Sequence, residues 1–301
     1  MSQRILVTGA TGFIGRFLIE HLVGRGDTAV IALLRDNYNL AKLPPYLAAV
    51  RSQVELVYAD LRNLQLTVRA VEEAEPDVVI HLAAAGVTEP FLGVETAVRH
   101  NLTASLNLIR ACFEKRFNTE QLIVARTPGE LSSMNVYAAS KAAAWQFCQM
   151  YARTQGWPIH GGMIFQAYGP GQPARNLLPA ALAAAQAGED FPMTAGTQQR
   201  DWIYAADVAE GLAAIIGSGL QPGQTVDLGT GVLTSVAEVV RQIYGLVGGA
   251  GRPLIGVLPS RPGEEAVQVA DVARTQRLIG WQAGRSLLVG LREMVGDGRP
   301  L

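Results

Sequence analysis

Short apolar runs alternate with longer segments of helical periodicity through the first half of this 301-residue chain. The runs predict strands at residues 5–7, 28–34, 54–58, 77–82, 121–125 and 159–165. Apolar residues recur at helical spacing in the segments 13–23, 63–74, 93–116 and 137–155. This regular alternation predicts an α/β fold, a doubly wound parallel sheet of about seven strands with helices on both faces.

The pattern becomes less regular after Tyr168. A loop rich in Gly and Pro follows at 169–173. Further helices are predicted at 176–188 and 235–247. We therefore expect two regions: residues 1–168, which hold the main sheet, and residues 169–301, a smaller C-terminal lobe partly interleaved with that sheet.

The stretch TGATGFIG, residues 8–15, joins the first predicted strand to the first predicted helix. A helix N-terminus exposes unpaired N–H groups and carries a partial positive charge, which suits a phosphate. Gly9 permits a tight turn, Gly12 lets a pyrophosphate approach the backbone, and Gly15 lets the helix pack closely on the strand. A glycine-rich loop can also bind nothing, but this position between strand and helix predicts a Rossmann-type dinucleotide site.

Composition limits the partners and the chemistry. The net charge of −1 gives no electrostatic basis for binding nucleic acid or an anionic membrane. The chain starts without the apolar core of a signal peptide, and no apolar run reaches transmembrane length, so a cytoplasmic protein is expected. Cys112 and Cys148 form no C-x-x-C motif and are interpreted as reduced, buried thiols. No metal site is predicted.

The stretch NVYAASKAAAW places Tyr137 and Lys141 four residues apart on one face of a predicted helix. A neighbouring ammonium favours the phenolate and lowers the tyrosine pKa, and an oxidised nicotinamide would add to this effect. The pair can then exchange a proton with a substrate hydroxyl or carbonyl while a hydride moves to or from carbon. A surface Tyr and Lys without a role is the commoner origin of this spacing, but the preceding dinucleotide turn favours a catalytic pair.

Together these residues resemble the extended short-chain dehydrogenase/reductase superfamily, in its NAD(P)-dependent nucleotide-sugar epimerase/dehydratase branch. The resemblance covers nearly the whole chain and rests on an ordered set of motifs: TGATGFIG at 8–15, Asp60-Leu61, HLAAAG at 81–86, Asn101, YAASK at 137–141, YGPGQ at 168–172, NLLP at 176–179 and QRDWIYAADVA at 199–209. It implies that the lobe 169–301 binds a nucleotide-diphosphate sugar. It also implies a homodimer formed through the helices around Leu102 and Tyr137.

The resemblance further implies which residues bind the dinucleotide. Asp60 would contact the adenine, residues 82–84 would line the cofactor, and Lys141 would also hold the nicotinamide ribose. The full set of implied cofactor-binding residues is Gly9, Thr11, Gly12, Phe13, Ile14, Gly15, Arg35, Asp60, Leu61, Leu82, Ala83, Ala84, Asn101, Tyr137 and Lys141. A helix cap at Asp60 and a buried helix amide at Asn101 remain as alternatives.

A third catalytic group, a Ser or Thr at the end of the fifth strand, completes the implied site. Aligning LIVART with the family's strand places Thr127 there, where its hydroxyl could hydrogen-bond the reacting oxygen. The segment between this strand and Tyr137 is shorter than the family's, so Ser132 and Ser133 are rivals for the role.

The resemblance assigns the sugar nucleotide to the C-terminal lobe. Asn176, Arg200 and Arg261 match positions that grip the pyrophosphate, and an Arg fork donates two hydrogen bonds to one phosphate. Surface salt bridges are the alternative for both arginines. The family's R-x-F-N motif appears here as MIFQ at 163–166, which leaves the sugar open.

The end of the second strand bears on the choice of cofactor. Members that select NAD usually have an acid there, which bonds the ribose 2′-OH. Here Leu34 holds that position and Arg35 follows, and an Arg can pair with a 2′-phosphate. NADP is therefore favoured, and NAD stays possible because a shift of one residue would bring Asp36 to the ribose.

The residues after Thr127 bear on the reaction. Sugar 4,6-dehydratases place an acidic pair or a Glu directly after this Thr, whereas here Pro128 and Gly129 follow and Glu130 comes one or two places late. This predicts hydride transfer at the sugar C4, by a 4-keto reductase or 4-epimerase, and not a 4,6-dehydratase. The alternatives are a non-catalytic dinucleotide-binding protein on the same fold and a reductase of a non-nucleotide alcohol or ketone.

Overall fold

The computed structural model describes residues 2–35, 42–86, 92–114, 119–259 and 264–296. Its strands are β1 (Gln3–Thr8), β2 (Thr28–Leu34), β3 (Val54–Tyr58), β4 (Val78–His81), β5 (Gln121–Arg126), β6 (Ile159–Ile164), β7 (Gln166–Tyr168), β8 (Phe191–Met193), β9 (Gln199–Tyr204), β10 (Thr225–Leu228), β11 (Leu233–Ser235), β12 (Pro253–Ile255) and β13 (Val267–Gln268). Its α-helices are α1 (Phe13–Arg25), α2 (Pro45–Ala49), α3 (Leu64–Ala74), α4 (Val94–Ala97), α5 (Ala104–Phe113), α6 (Val136–Gln155), α7 (Leu177–Gln186), α8 (Ala205–Ala214), α9 (Val236–Val247), α10 (Val272–Ile279) and α11 (Leu287–Gly296).

Seven strands form the main sheet, in the order β10-β6-β5-β4-β1-β2-β3. Every neighbouring pair in it is parallel. Such a sheet is covered by helices on both faces, so its central strands contain continuous apolar runs, such as residues 5–7 of β1. The strand order reverses between β1 and β4, and ligands of open α/β sheets bind in the crevice at such a point. The predicted α/β fold with a Rossmann-type doubly wound parallel sheet is confirmed.

Two apolar clusters flank this sheet, and β1 shows how its side chains alternate between them. Ile5 and Val7 pack with residues of α1 and α8 on one face. Leu6 packs with residues of α3, α5 and α6 on the other. The helix α6, which carries the predicted Tyr–Lys pair, is fixed on this second face by the buried Trp145 and Cys148.

The single long helix predicted at 93–116 is interrupted in the structure. After α4 the chain makes a π-helical turn over Val98–Thr103 and then continues as α5. This wider turn contains His100 and Asn101. Hydrophobic periodicity does not report such a turn, and π turns occur frequently at functional sites.

The C-terminal lobe has its own small sheet, in which β7, β11 and β13 all pair with β9. The buried Asp201 of β9 holds it together by accepting hydrogen bonds from the amides of Thr230, Gly231 and Ala270 at 2.8, 2.8 and 3.1 Å. The strand β10 also belongs to the C-terminal part of the chain, but it pairs with β6 in the main sheet. The division into residues 1–168 and 169–301 stays a prediction.

Three further features concern the described ranges. No helix there is long and apolar enough to cross a membrane. No group of three or more His, Cys, Asp and Glu side chains there could hold a metal ion. Cys112 and Cys148 are both buried and free, and burial raises the pKa of each thiol to about 12.

Candidate active site

A cavity of about 610 Å³ opens at the carboxyl ends of the parallel strands, and most of the predicted site residues line it. These lining residues are Gly9, Thr11, Gly12, Phe13, Ile14, Gly15, Arg35, Asp60, Leu61, Leu82, Ala83, Ala84, Thr127, Tyr137, Lys141 and Asn176. The topology brings them together because β1 to β6 all end at this edge of the sheet.

The glycine turn forms one wall of the cavity and fits a dinucleotide diphosphate. Gly9 has a φ of +71°, and a Cβ there would lie 2.7 Å from the backbone N of Ala83. A Cβ on Gly15 would lie 2.2 Å from the carbonyl oxygen of Gly9, so only glycine allows α1 to start so close to β1. Gly12 is the N-cap of α1, and the described side chains provide no cap there. The first-turn amides of α1 thus remain available to an anion.

Two basic side chains that were not predicted, Arg62 and His100, join the predicted Arg35 at the end of the cavity that contains Asp60. Arg62 forms an ion pair with Asp60 at 2.5 Å, which lowers the pKa of that carboxyl to about 2. Nη1 of Arg62 lies 3.2 Å from Nε2 of His100. Arg62, His100 and Arg35 all line the cavity. The position of Arg62, two residues after Asp60, was the available sequence signal, whereas His100 is brought in by the π turn. Asp36 lies outside the described residues.

The Tyr–Lys pair and Thr127 meet at the opposite end. Lys141 is buried, its Nζ donates to the carbonyl oxygen of Ala125 at 2.6 Å, and burial lowers its pKa. In the free protein the pKa of Tyr137 lies above its ordinary value, which is opposite to the direction that the Tyr–Lys spacing predicts. Burial raises this pKa first and the Glu130 carboxylate second, while Nζ of Lys141 is bonded to the Ala125 carbonyl oxygen. A cation bound in the cavity would oppose both effects.

The rivals of Thr127 lie elsewhere. Ser132 and Ser133 are exposed, and neither lines the cavity. The hydroxyl of Ser132 points to the carbonyl oxygen of Gly129, at 3.5 Å. Of the three hydroxyl residues, Thr127 is therefore the one placed to reach a ligand.

Asn101 lies behind the cavity wall and not in its lining. Its amide nitrogen donates to the carbonyl oxygen of Ala85 at 2.9 Å and to the hydroxyl of Ser140 at 2.9 Å. Its side-chain oxygen accepts from the amide of Ala85 at 2.8 Å. The hydroxyl of Ser140 in turn donates to the carbonyl oxygen of Tyr137. The buried-amide alternative thus describes its observed contacts, which tie the end of β4 to the start of α6.

The predicted diphosphate contacts are only partly assembled. Asn176 lines the cavity, together with Gln166 and Gln172, which the sequence analysis did not name as ligands. Arg200 lies outside the lining: it is buried, donates to the carbonyl oxygen of Gln199 and sits 3.6 Å from Glu264. Arg261 lies outside the described residues.

Known proteins match this chain over most of its length. The model of the NAD dependent epimerase/dehydratase family matches residues 5–229. The dTDP-glucose 4,6-dehydratase of Neisseria gonorrhoeae is 29% identical over 332 residues, which cover 97% of this chain and 94% of that protein.

Solved structures agree on the fold. A double mutant of DesIV, a dTDP-glucose 4,6-dehydratase from Streptomyces venezuelae solved with NAD, has a TM-score of 0.85 at 22% identity and covers 98% of this chain and 96% of its own. The UDP-glucuronic acid 4-epimerase of Bacillus cereus, solved with UDP-glucuronic acid and NAD, also has a TM-score of 0.85 at 22% identity. That match covers 97% of this chain and 98% of the epimerase.

The relatives correct one prediction. Pro128 and Gly129 after Thr127 were the basis for excluding a 4,6-dehydratase, yet a relative aligned over 97% of this chain carries that name. The exclusion of 4,6-dehydration, and with it the restriction to a reductase or epimerase, is wrong. The physical reason is that many separate segments build the cavity wall, so two residues of a shortened loop do not determine which groups face the sugar.

Proposed function

This chain belongs to the NAD dependent epimerase/dehydratase family, and we propose that it oxidises C4 of a nucleoside-diphosphate sugar. The C4 carbonyl formed in this step then allows the sugar to lose water. The observation that carries the proposal is that Thr127, Tyr137 and Lys141 line the same cavity as the glycine turn. The relative named dTDP-glucose 4,6-dehydratase supports both the substrate class and the dehydration.

Each of the three residues has a distinct task in this proposal. Tyr137 takes the proton of the C4 hydroxyl as general base. Thr127 holds the same oxygen by a hydrogen bond from its hydroxyl, and the ammonium of Lys141 stabilises the phenolate. Bound NAD(P) supplies the hydride acceptor. Oxidation at C4 acidifies the neighbouring C5–H bond, because the C4 carbonyl stabilises the carbanion. Loss of the C5 proton then expels the C6 hydroxyl, which takes up a proton and leaves as water. The hydride would return to C6 while C5 takes up a proton, so the net change is the loss of one water.

The diphosphate of the sugar nucleotide is proposed to bind between Asn176 and Arg200. Asn176 already lines the cavity. The pair of Arg200 with Glu264 is long, at 3.6 Å, and burial lowers the pKa of the guanidinium. Arg200 would exchange Glu264 for the diphosphate, where it can make two charge-assisted hydrogen bonds to one phosphate.

NADP is the proposed cofactor, with NAD as the alternative. Three basic side chains from separate elements, Arg35, Arg62 and His100, line the adenosine end of the cavity. A 2′-phosphate carries negative charge that arginine forks bind well, whereas a free ribose hydroxyl gains little from them. The solved structures of similar fold contain NAD, which supports NAD as the alternative cofactor.

A homodimer is also proposed, formed through α4, the π turn that follows it and α6. Val94 is 64% exposed and Phe147 is 41% exposed, and these apolar side chains lie on α4 and α6. Phe147→Glu should therefore shift the protein toward the monomer in analytical ultracentrifugation, while Phe113→Leu on the neighbouring α5 should not.

Product analysis tests the proposed reaction directly. The purified protein is incubated with dTDP-glucose or UDP-glucose and either NAD or NADP, and the sugar nucleotide is examined by mass spectrometry and NMR. The expected product has lost one water and carries a C4 carbonyl. An isomerised sugar with unchanged mass would replace dehydration by epimerisation, and an untouched pool of dTDP-glucose and UDP-glucose would contradict the substrate class.

A further inference from the structure

A buried ion pair lies directly beside the proposed catalytic residues. Nε of Arg126 donates to Oε2 of Glu130 at 2.8 Å, and the two side chains are only 10% and 1% exposed. The second carboxylate oxygen, Oε1, accepts from the backbone N–H of Thr127 at 3.0 Å. The Glu130 carboxylate thus bonds both Arg126, the last residue of β5, and Thr127, which is proposed to hold the reacting oxygen.

Arg126 is itself held from several sides. Its guanidinium carbon lies 4.4 Å from the centre of the Trp145 ring, and Nη1 donates to the hydroxyl of Thr225 at 3.1 Å. Its stem crosses β6 at Gly161, where a Cβ would lie 2.8 Å from Cδ of Arg126. Because α6, β6 and β10 all contact this side chain, the carboxylate that binds it is fixed in place.

The local sequence explains why Glu130 points back to the strand. Thr127 is the N-cap of a short 3₁₀ turn over Pro128–Glu130, with Pro128 at its first position. In a capping box the third residue returns its carboxylate to the N-cap amide, and this is the observed bond to Thr127. Glu130, the acid that follows Thr127 by three residues, therefore bonds the end of β5 and does not line the cavity.

We propose that Glu130 is a positioning residue: its carboxylate seats Thr127 through the backbone and places a fixed negative charge beside the Tyr137–Lys141 pair. This rests on the proposed function, in which Tyr137 moves the proton. The charge favours the phenol form of Tyr137 in the free protein, and the positively charged nicotinamide ring of a bound oxidised dinucleotide would oppose it.

The charges around the pair agree with this assignment. Glu130 raises the pKa of Tyr137 and opposes the effect of burial on the pKa of Lys141. Arg126 lowers and Cys148 raises the pKa of Lys141, and His81 on β4 is itself affected by Lys141. His81 stays neutral because burial lowers its pKa to about 3. Among these groups Glu130 is the charge that raises the pKa of Tyr137, so its removal should lower that pKa.

The test is a titration that needs no sugar substrate. The full-length protein is saturated with NAD, and the ultraviolet absorbance of the phenolate is followed against pH as the difference between the parent and Tyr137→Phe. Glu130→Gln keeps the size and a hydrogen-bond acceptor for Thr127 but removes the charge. The midpoint for Tyr137 should fall by on the order of one pH unit. Glu130→Asp keeps the charge, and its midpoint should stay within about 0.3 units of the parent.

The matched control is Asp207→Asn, which also removes a buried carboxylate from an Arg ion pair but on α8. It should lower the melting temperature and leave the Tyr137 midpoint unchanged. A midpoint that stays in place in Glu130→Gln, or moves equally in Asp207→Asn, overturns the inference. If Glu130→Gln does not fold, the inference stands only if Glu130→Asp holds the parental midpoint while dTDP-glucose turnover falls. If instead Tyr137→Phe keeps full turnover, the proposed function itself fails.

Discussion

The two ends of the cavity differ in how they are built. At the cofactor end, the wall comes from one continuous turn, Gly9–Gly15, and from the first residues after neighbouring strands. At the end proposed to hold the sugar, here called the sugar end, the wall combines residues from β5, α6, β7 and the loop before α7. The wall at the cofactor end is determined by a short motif, because most of its residues are consecutive in the chain. The wall at the sugar end depends on how segments distant in the chain pack together. There, Asn176 lines the cavity and Arg200 does not.

The largest expected effect is at the sugar end and tests the proton transfer. Tyr137→Phe keeps the ring and removes the phenol, so turnover of dTDP-glucose should fall about 10²–10⁴-fold, the scale of general acid–base catalysis. The dissociation constant of the dinucleotide should change by less than about twofold. Tyr151→Phe, on the same helix and stacked on Trp157, is the control and should keep parental turnover. Near-parental turnover in Tyr137→Phe would contradict the mechanism.

Arg200→Ala sharpens the comparison between the two ends. Hydrogen bonds to a charged group contribute about 1.5–3 kcal/mol, so the KM for the sugar nucleotide should rise roughly 10- to 100-fold. The binding constant of the dinucleotide should not move. These bonds act on ground state and transition state alike, so kcat should change less than KM. The exposed Arg241→Ala on α9 is the control. If neither the KM for the sugar nucleotide nor the dissociation constant of the dinucleotide changes, Arg200 does not bind the diphosphate and remains paired with Glu264.

Arg35→Ala tests the cofactor end. The parent should bind NADPH more tightly than NADH, and the substitution should reduce this preference by about tenfold, the effect of one lost charge-assisted hydrogen bond. Fluorescence titration of both dinucleotides gives the ratio, with the exposed Arg25→Ala as control. Equal or reversed affinities in the parent would favour Asp36 on a free ribose hydroxyl.

The smallest effect separates Thr127 from its rivals. Ser132→Ala removes a hydroxyl that lies outside the cavity lining, so turnover should stay within about twofold. Thr127→Val should lower turnover about 2- to 13-fold with unchanged dinucleotide binding, since a neutral hydrogen bond contributes about 0.5–1.5 kcal/mol. The opposite order in steady-state kinetics would transfer the role to Ser132.

The sequence was sufficient for the sheet and for the cofactor turn, because both follow from local patterns. The continuous apolar run in β1 predicts a strand buried on both faces, and the spacing of Gly9, Gly12 and Gly15 predicts the close start of α1. His100 could not be found this way, because a π turn brings it to the cavity.

The sequence was insufficient where charge and packing decide. Spacing alone predicts a lowered pKa for Tyr137, but burial and Glu130 reverse the direction. The residues after Thr127 wrongly excluded dehydration, because the reaction depends on which groups face the sugar and not on the order of two residues in a loop.

The most direct test follows the hydrogen at C4. A single turnover is run with dTDP-glucose carrying deuterium at C4, with enzyme and oxidised dinucleotide in excess, and the nicotinamide and the sugar are both analysed by mass spectrometry. The proposed oxidation predicts that deuterium leaves C4 and is found on the nicotinamide during the turnover, and that Tyr137→Phe suppresses this transfer. A turnover in which no deuterium reaches the nicotinamide at any time would contradict hydride transfer at that carbon.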